Sequence, residues 1–299
     1  MGKIVVIGSS NMDMVVNTSH LPLPGETILG GNFFMNYGGK GANQAVAVKR
    51  LGGELIFLTK LGNDLFAKQT ILSLEKEGIN TDYIITTEKA PSGVALISVD
   101  NCGENSIVVA PGANMLLDEK DTDKVIDQIA KDDILLIQLE IPISTVEYVI
   151  RRAYQKGAKV ILNPAPAQII PEHLFPCIYL ITPNVVEAAM LAKESTEKDQ
   201  KVEIMCTEKL IDLGVKNVIV TMGSKGCFVN EDRKTYHIDA FQVTPVDTTA
   251  AGDTFNGALA VALSEGMSLK ESVIFASKAS SIAVTRVGAQ SSIPYRNEL

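Results

Sequence analysis

Late in the chain the run VDTTAAGDTFNGA (246–258) sets two carboxylates, Asp247 and Asp253, six residues apart, with only small and hydroxyl side chains between them. Helical spacing begins at Ala251, since Phe255, Leu259, Ala262 and Leu263 then share one side. Asp253 therefore stands in a first helical turn, where unpaired N–H groups and the helix dipole attract an anion. Residues 250–252 (AAG) carry almost no side chain to obstruct that approach. A phosphoryl group held on those amides, beside a base that takes a proton from an attacking hydroxyl, is one chemistry that needs this arrangement. A first-turn acid also stabilises helices with no catalytic role, so the local pattern leaves both readings open.

Two other glycine-rich segments could approach a ligand. YGGKGANQA (37–45) enters a helix and adds the cation of Lys40 and the amide of Asn43. It is not a Walker A loop, because position 34 is Phe and Gly41 follows Lys40, and Gln44 stands where GxGxxG needs its third glycine. Backbone N–H groups near a polar ligand, or glycines needed for packing, both fit it. NVIVTMGSKG (217–226) runs from a buried strand into a loop with two glycines, a hydroxyl and a lysine. Ligands of open α/β sheets bind beyond the carboxyl ends of strands, so this loop suits a nucleotide phosphate or serves as a plain turn.

The elements that must position these loops alternate along the chain. Apolar runs at 3–8, 55–58, 134–139, 160–163, 179–182 and 217–221 read as strands covered on both faces. Helical patterns lie at 42–51, 64–77, 122–130, 144–156, 185–193, 203–213, 251–264 and 269–284. That alternation predicts an α/β fold with a mainly parallel sheet and right-handed crossovers. Residues 12–36 and 92–110 break the rhythm with apolar–polar alternation and predict antiparallel ribbons in a second small sheet. A late hairpin is expected around Asp232 and Arg233, and the charged run 193–203 reads as a solvated loop or helix start.

A formal net charge of −8 argues against general binding to nucleic acid or anionic membranes. Cys102, Cys177, Cys206 and Cys227 form no CxxC pair and read as reduced thiols of a cytoplasmic protein. No cationic leader opens the sequence, and no run of 18 apolar residues occurs. His20, His173 and His237 are scattered, which gives a histidine metal site no support. A dehydrogenase reading fails at the turn after the first strand, GSSNMD (8–13), where the dinucleotide fingerprint is required.

Taken together, the blocks GSSNMD (8–13), PGET (24–27), GGKGANQAVA (38–47), SGVALISVD (92–100), PGAN (111–114), QLEIP (138–142), LNPAPA (162–167), ITPNVVEA (181–188), TMGSKG (221–226), VDTTAAGDTFNGAL (246–259) and IAVTRVGAQSSIP (282–294) resemble the ribokinase-type (PfkB) carbohydrate kinase family over essentially the whole chain. The resemblance implies a three-layer ribokinase-like sandwich. In it, 1–11, 37–91 and 111–299 form the nucleotide- and substrate-binding domain, and 12–36 and 92–110 form a small antiparallel β-lid. It implies transfer of phosphate from ATP to O5 of D-ribose, with deoxyribokinase, fructokinase or nucleoside kinase activity as the alternative. A sugar-binding regulator without catalysis is disfavoured because Asp253 and its glycine loop are intact.

Residue by residue, the resemblance makes Asp253 the catalytic base and the amides of Ala250, Ala251 and Gly252 an anion hole. Sugar contacts fall on Asn11, Asp13, Gly39, Lys40, Asn43, Glu140 and Asp253. The nucleotide side takes Asn184, Thr221, Gly223, Ser224, Lys225, Gly226 and Gly252. Glu187 is associated with Mg²⁺ through water, and Ser277 departs from the Asn or His that relatives carry near the nucleotide. A K⁺ site is implied at Asp247, Thr249, Ala283, Arg286, Gly288 and Ser292, oxygen donors that suit a hard cation. A homodimer through the lid is implied, with Phe33, Phe34 and Met35 as apolar interface candidates. The sequence stops soon after IPYRNEL, where relatives often add a short helix, and little effect on catalysis but some loss of stability is expected.

Overall fold

The computed structural model describes residues 2–102, 104–194 and 202–299. Its main sheet has nine strands: β1 (Ile4–Ile7), β4 (Leu55–Gly62), β5 (Ile84–Thr87), β8 (Ile134–Ile137), β9 (Lys159–Leu162), β10 (Leu180–Ile181), β11 (Asn217–Thr221), β12 (Cys227–Glu231) and β13 (Lys234–Ile238). They lie in the order β13-β12-β11-β10-β9-β8-β1-β4-β5, parallel from β11 to β5, with β12 and β13 as an antiparallel hairpin at the other edge. Asp232 and Arg233 make that hairpin's turn with φ of 47° and 65°, as tight hairpin connections require. The short edge strand β5 (IITT) was not expected; it is only half-buried and lacks the apolar run that marks the inner strands.

Among the described residues eight helices flank the sheet: α1 (Lys40–Arg50), α2 (Leu65–Lys76), α3 (Glu119–Ile126), α4 (Ile143–Gln155), α5 (Val185–Ala192), α6 (Val202–Asp212), α7 (Ala251–Ser264) and α8 (Leu269–Ala283). Each expected helix is present, with ends displaced by at most four residues. Residues 195–201 of the charged run lie outside the described residues.

Alternate side chains of each inner strand point to opposite faces, so continuous apolar runs build two cores. Val5 and Ile7 pack with residues of α3, α4, α5 and α6, while Ile4 and Val6 pack with α1, α7 and α8. The result is a three-layer sandwich.

A separate sheet of β2 (Asn11–Asn17), β3 (Phe33–Gly38), β6 (Gly93–Val99) and β7 (Asn105–Ala110) takes the order β3-β2-β6-β7. Its outer pairs are the two antiparallel ribbons. Its central pair, β2 with β6, is parallel, because the two ribbons join side by side through strands running the same way.

The contact that matters most for the site is α1 against α7. A Cβ on Gly257 would lie 2.5 Å from the Ala47 Cβ and 2.9 Å from the Gln44 carbonyl oxygen. Gly257→Ala is therefore expected to destabilise the fold by about 1–3 kcal/mol through overpacking, despite alanine's better helix propensity. Urea unfolding of the two proteins checks this.

Candidate active site

The start of α1 rests on the end of β1. Gly39 adopts φ 86°, and a Cβ there would sit 2.7 Å from the backbone of Ser10 and Asn11. The first amides of α1 are engaged within the chain. Ala42 N–H donates to the Ser9 carbonyl (2.9 Å), Gly41 N–H to Ser9 Oγ (3.4 Å), and Lys40 N–H to Glu140 Oε2 (3.1 Å). Ser9 Oγ also donates to Glu140 Oε2, at 2.5 Å. Glu140 thus occupies the positive end of α1.

The start of α7 differs. Ala250 turns the chain with φ 59°, and the amides of Gly252 and Asp253 have no hydrogen-bond acceptor among the described residues. A Cβ added to Gly252 would meet no protein atom within 4 Å. Packing does not require glycine there; the space in front of it is cavity. This is an open helix N-terminus, able to receive an anion.

Asp253 joins the two helix starts. It is 7% exposed and accepts from Asn43 Nδ2 (2.8 Å) and Gln44 Nε2 (3.0 Å), both in the first turns of α1. Burial alone would push the Lys40 ammonium down. The carboxylates of Asp253, Glu140, Glu187 and Asp13 outweigh that and hold it above the ordinary lysine value.

From the second sheet, Asn11 and Asp13 reach the same region, 5% and 9% exposed. Asn114 Nδ2 donates to Asn11 Oδ1 (2.7 Å), which leaves the Asn11 amide N–H groups for another acceptor. A Cβ on Gly38 would lie 2.1 Å from Asp13 Oδ2, so glycine makes room for that carboxylate. Desolvation, then the charges of Glu140 and Asp253, raise the Asp13 carboxyl to about 7, against the pull of Lys40.

Two adjoining cavities open in front of α7. One of about 220 Å³ is lined by Lys40, Asn163, Thr182, Asn184, Glu187, Thr248, Ala250, Gly252, Asp253 and Asn256. The other, about 440 Å³, is walled by Thr221, Gly223, Ser224, Gly226, Cys227, Phe241, Val243, Phe255, Ser277 and Val284. Thr221, Thr248, Ala251 and Gly252 belong to both, so the open helix start lies at their junction.

A family model for pfkB family carbohydrate kinases matches residues 1–296. The chain belongs to this family. It is 44% identical over 295 residues to the ribokinase of Haemophilus influenzae, covering 99% of this chain and 96% of that one. It is 37% identical to the deoxyribokinase of Salmonella typhi, covering 97% and 95%. The solved structure of Arabidopsis thaliana ribokinase complexed with ribose and ATP matches with a TM-score of 0.90 at 34% identity, covering 99% and 96%. The three-layer fold with its second small sheet is that of ribokinases.

In this carbohydrate kinase the glycine-rich segments converge as their spacing alone could not reveal. Lys40, Asn184, Glu187 and Ala250–Asp253 share the smaller cavity; Gly223, Ser224, Gly226 and Ser277 line the larger one, and Thr221 lines both. Lys225 does not line either; its carbonyl accepts from His237. Asn163, Thr182 and Asn256 were missed. Thr182 Oγ1 donates to Asn256 Oδ1 (2.6 Å), and Asn256 Nδ2 donates to the Gly252 carbonyl (2.8 Å). Asn163, Thr182 and Asn256 stand in the LNPAPA, ITPNVVEA and VDTTAAGDTFNGAL blocks, the one available signal.

Asn184 and Glu187 cap α5 reciprocally, each at 2.9 Å, and an isolated bridge ties Asn184 to Thr221. Burial raises the Glu187 carboxyl, opposed by the Asn184 amide and Lys40. Behind the helix start, Asp247 accepts from the amides of Thr249 and Gly288, both at 2.8 Å. Burial would raise its carboxyl, but these N–H groups and the Thr249 hydroxyl hold it below the usual range. The carbonyls of Arg286 and Gly288 accept no backbone hydrogen bond among the described residues, and the Arg286 guanidinium turns to Glu298. Among the described residues no group of three His, Cys, Asp or Glu is placed to hold a metal ion.

The raised Asp13 carboxyl has a measurable consequence. Its proton is held more tightly in the native state than the ordinary value of 3.8 allows. The stability it contributes is therefore present below pH 4 and lost as pH rises toward 7. Asp13→Asn should raise the melting temperature of the ligand-free protein by several degrees at pH 8 and hardly at all at pH 4. Thermal melts across that range check the sign.

Proposed function

We propose that the chain transfers the γ-phosphoryl group of ATP to O5 of D-ribose, giving D-ribose 5-phosphate and ADP. The observation that carries this reading is Asp253, a buried carboxylate beside two unengaged amides where the two cavities meet. The likeness to ribokinases, one of them complexed with ribose and ATP, supports the choice of ligands.

On this reading the adenosine occupies the larger cavity, against Phe241, Val243 and Val284, with Ser277 supplying a hydroxyl. The phosphates pass the Thr221–Gly226 loop toward Asn184 and the open amides of Gly252 and Asp253; of the expected anion-hole amides, that of Ala251 already donates to the Thr248 carbonyl (3.2 Å). Ribose hydroxyls are held by Asn11, Asp13, Gly39, Lys40, Asn43 and Glu140, a mix of donors and acceptors that rejects analogues lacking a hydroxyl. Asp253 accepts the O5 proton as O5 bonds to the γ-phosphorus. The bond from that phosphorus to the bridging oxygen breaks, and ADP leaves with the electron pair. The open amides stabilise charge on the phosphoryl oxygens in transit.

The carboxylate of Glu187 suits Mg²⁺ held through water, which when bound screens charge on the phosphates. Asp247, Thr249, Ala283, Arg286, Gly288 and Ser292 suit K⁺, which when bound orders the loop leading into α7. The segments 12–36 and 92–110 act as a lid that keeps water from competing with O5. Phe33, Met35, Leu96 and Val108 share one face of that sheet in its pairing register and are all exposed, an apolar patch that supports a homodimer through the lid. A dimer mass is expected in solution scattering at micromolar protein, and a clean monomer would remove this assignment.

The deoxyribokinase likeness is the observation that favours a second substrate, 2-deoxyribose. The pairing of Asn11 with Asp13 favours a sugar with adjacent hydroxyls. Coupled ADP detection with ribose, 2-deoxyribose and fructose, with and without K⁺, should give the highest kcat/KM for ribose in K⁺. Asp253→Asn should lower turnover by roughly 10²–10⁴-fold, with ribose affinity changed far less. Near-normal turnover in that variant would remove the base assignment.

A further inference from the structure

Behind Asp253 lies a file of buried amides in which Gln44 and Gln138 line neither cavity. Gln44 Nε2 donates to Asp253 Oδ1 (3.0 Å) and to Asn163 Oδ1 (3.0 Å), while Gln44 Oε1 accepts from Gln138 Nε2 (2.6 Å). Gln44 and Gln138 are both fully buried. Gln138 Oε1, at the far end, has no hydrogen-bond partner among the described residues. Buried acceptors are rarely left so, and each one costs stability.

The polarity of the file has a single consistent direction. A carboxylate accepts and cannot donate, so Gln44 must turn its NH₂ toward Asp253. The opposite rotamer would set its oxygen against two acceptors, Asp253 Oδ1 and Asn163 Oδ1. With the NH₂ so turned, Gln44 Oε1 faces Gln138, which must answer with its own NH₂. The oxygen of Gln138 is then left over, against Gly8, where a Cβ would lie only 2.1 Å from it. The unpartnered oxygen is the cost of fixing the direction of the donors at the other end. On the other carboxylate oxygen Asn43 Nδ2 does the same, and its Oδ1 is likewise left without a partner.

We infer that Gln44 and Gln138 are positioning residues for the phosphoryl transfer: Gln138 locks the amide of Gln44, and Gln44 locks the carboxylate of Asp253 with its remaining lone pairs turned to the acceptor hydroxyl. This rests on Asp253 acting as the base. Neither glutamine lines either cavity, so their effect falls on the geometry of the base rather than on ligand contacts.

A double-mutant cycle of Gln44→Met and Gln138→Met tests it. Methionine preserves volume; Gln138→Met removes the unpartnered oxygen but takes the donor from Gln44 Oε1, so the count of unpartnered oxygens is unchanged and the melting temperature of that variant should fall only a little. Gln44→Met should lower kcat for ribose by about 10-fold or more, and Gln138→Met by about 3–10-fold. The KM for ATP and the calorimetric ribose affinity should stay within about two-fold in both. Because Gln138 acts through Gln44, the double variant should match Gln44→Met alone rather than multiply the two losses. Unchanged kcat in Gln138→Met, or losses that multiply, would overturn the relay. Asp253→Asn run in parallel separates the two readings. Near-normal turnover there removes the base itself, whereas its loss alongside an unaffected Gln138→Met removes only the positioning role.

Discussion

The hydrogen bonds from Asn43 and Gln44 to Asp253 tie the first turn of α1 to the first turn of α7. Most of the site follows from that tie. The two helices can come so close only because position 257 has no side chain beyond hydrogen. Once they do, two positive helix ends face one small volume. The α1 end is satisfied inside the chain by Ser9 and Glu140; the α7 end is not. One end is therefore structural and the other is free for an anion.

The charge balance around that volume is unusual. Four carboxylates, Asp13, Glu140, Glu187 and Asp253, surround the single cation of Lys40, which stays charged because of them. Asp13, taken out of water by burial and placed beside the charges of Glu140 and Asp253, has its carboxyl raised to about 7. A ligand rich in hydroxyls answers such a wall with donors, and a cation on the phosphate side answers it with charge.

Much of this was legible along the chain. Each helix appeared as a 3.6-residue pattern and the inner strands as apolar runs, because burial on one or two faces leaves those signatures in any sequence. The edge strand Ile84–Thr87 left no such signature, since half of it faces solvent. The open start of α7 was visible as a small-residue run before a helical pattern, and the family motifs suggested roles for residues far apart in number. Asn163, Thr182 and Asn256 went unnoticed because single amides and hydroxyls inside strands and helices look alike whether they face a cavity or a neighbour.

By itself, then, the sequence determined the layers, the order of the elements and the open helix start at residues 250–253, all of which depend on local periodicity and on side chains being small. Only the tertiary structure decided which groups meet. That Asp253 rests on Asn43 and Gln44, some 210 positions away, is set by α1 and α7 packing on one face of the sheet. Whether Glu140 faces a ligand or closes a helix end, and which way a buried glutamine must turn, depends on donors and acceptors brought together across the fold. A linear pattern lists such groups; only their packing pairs them.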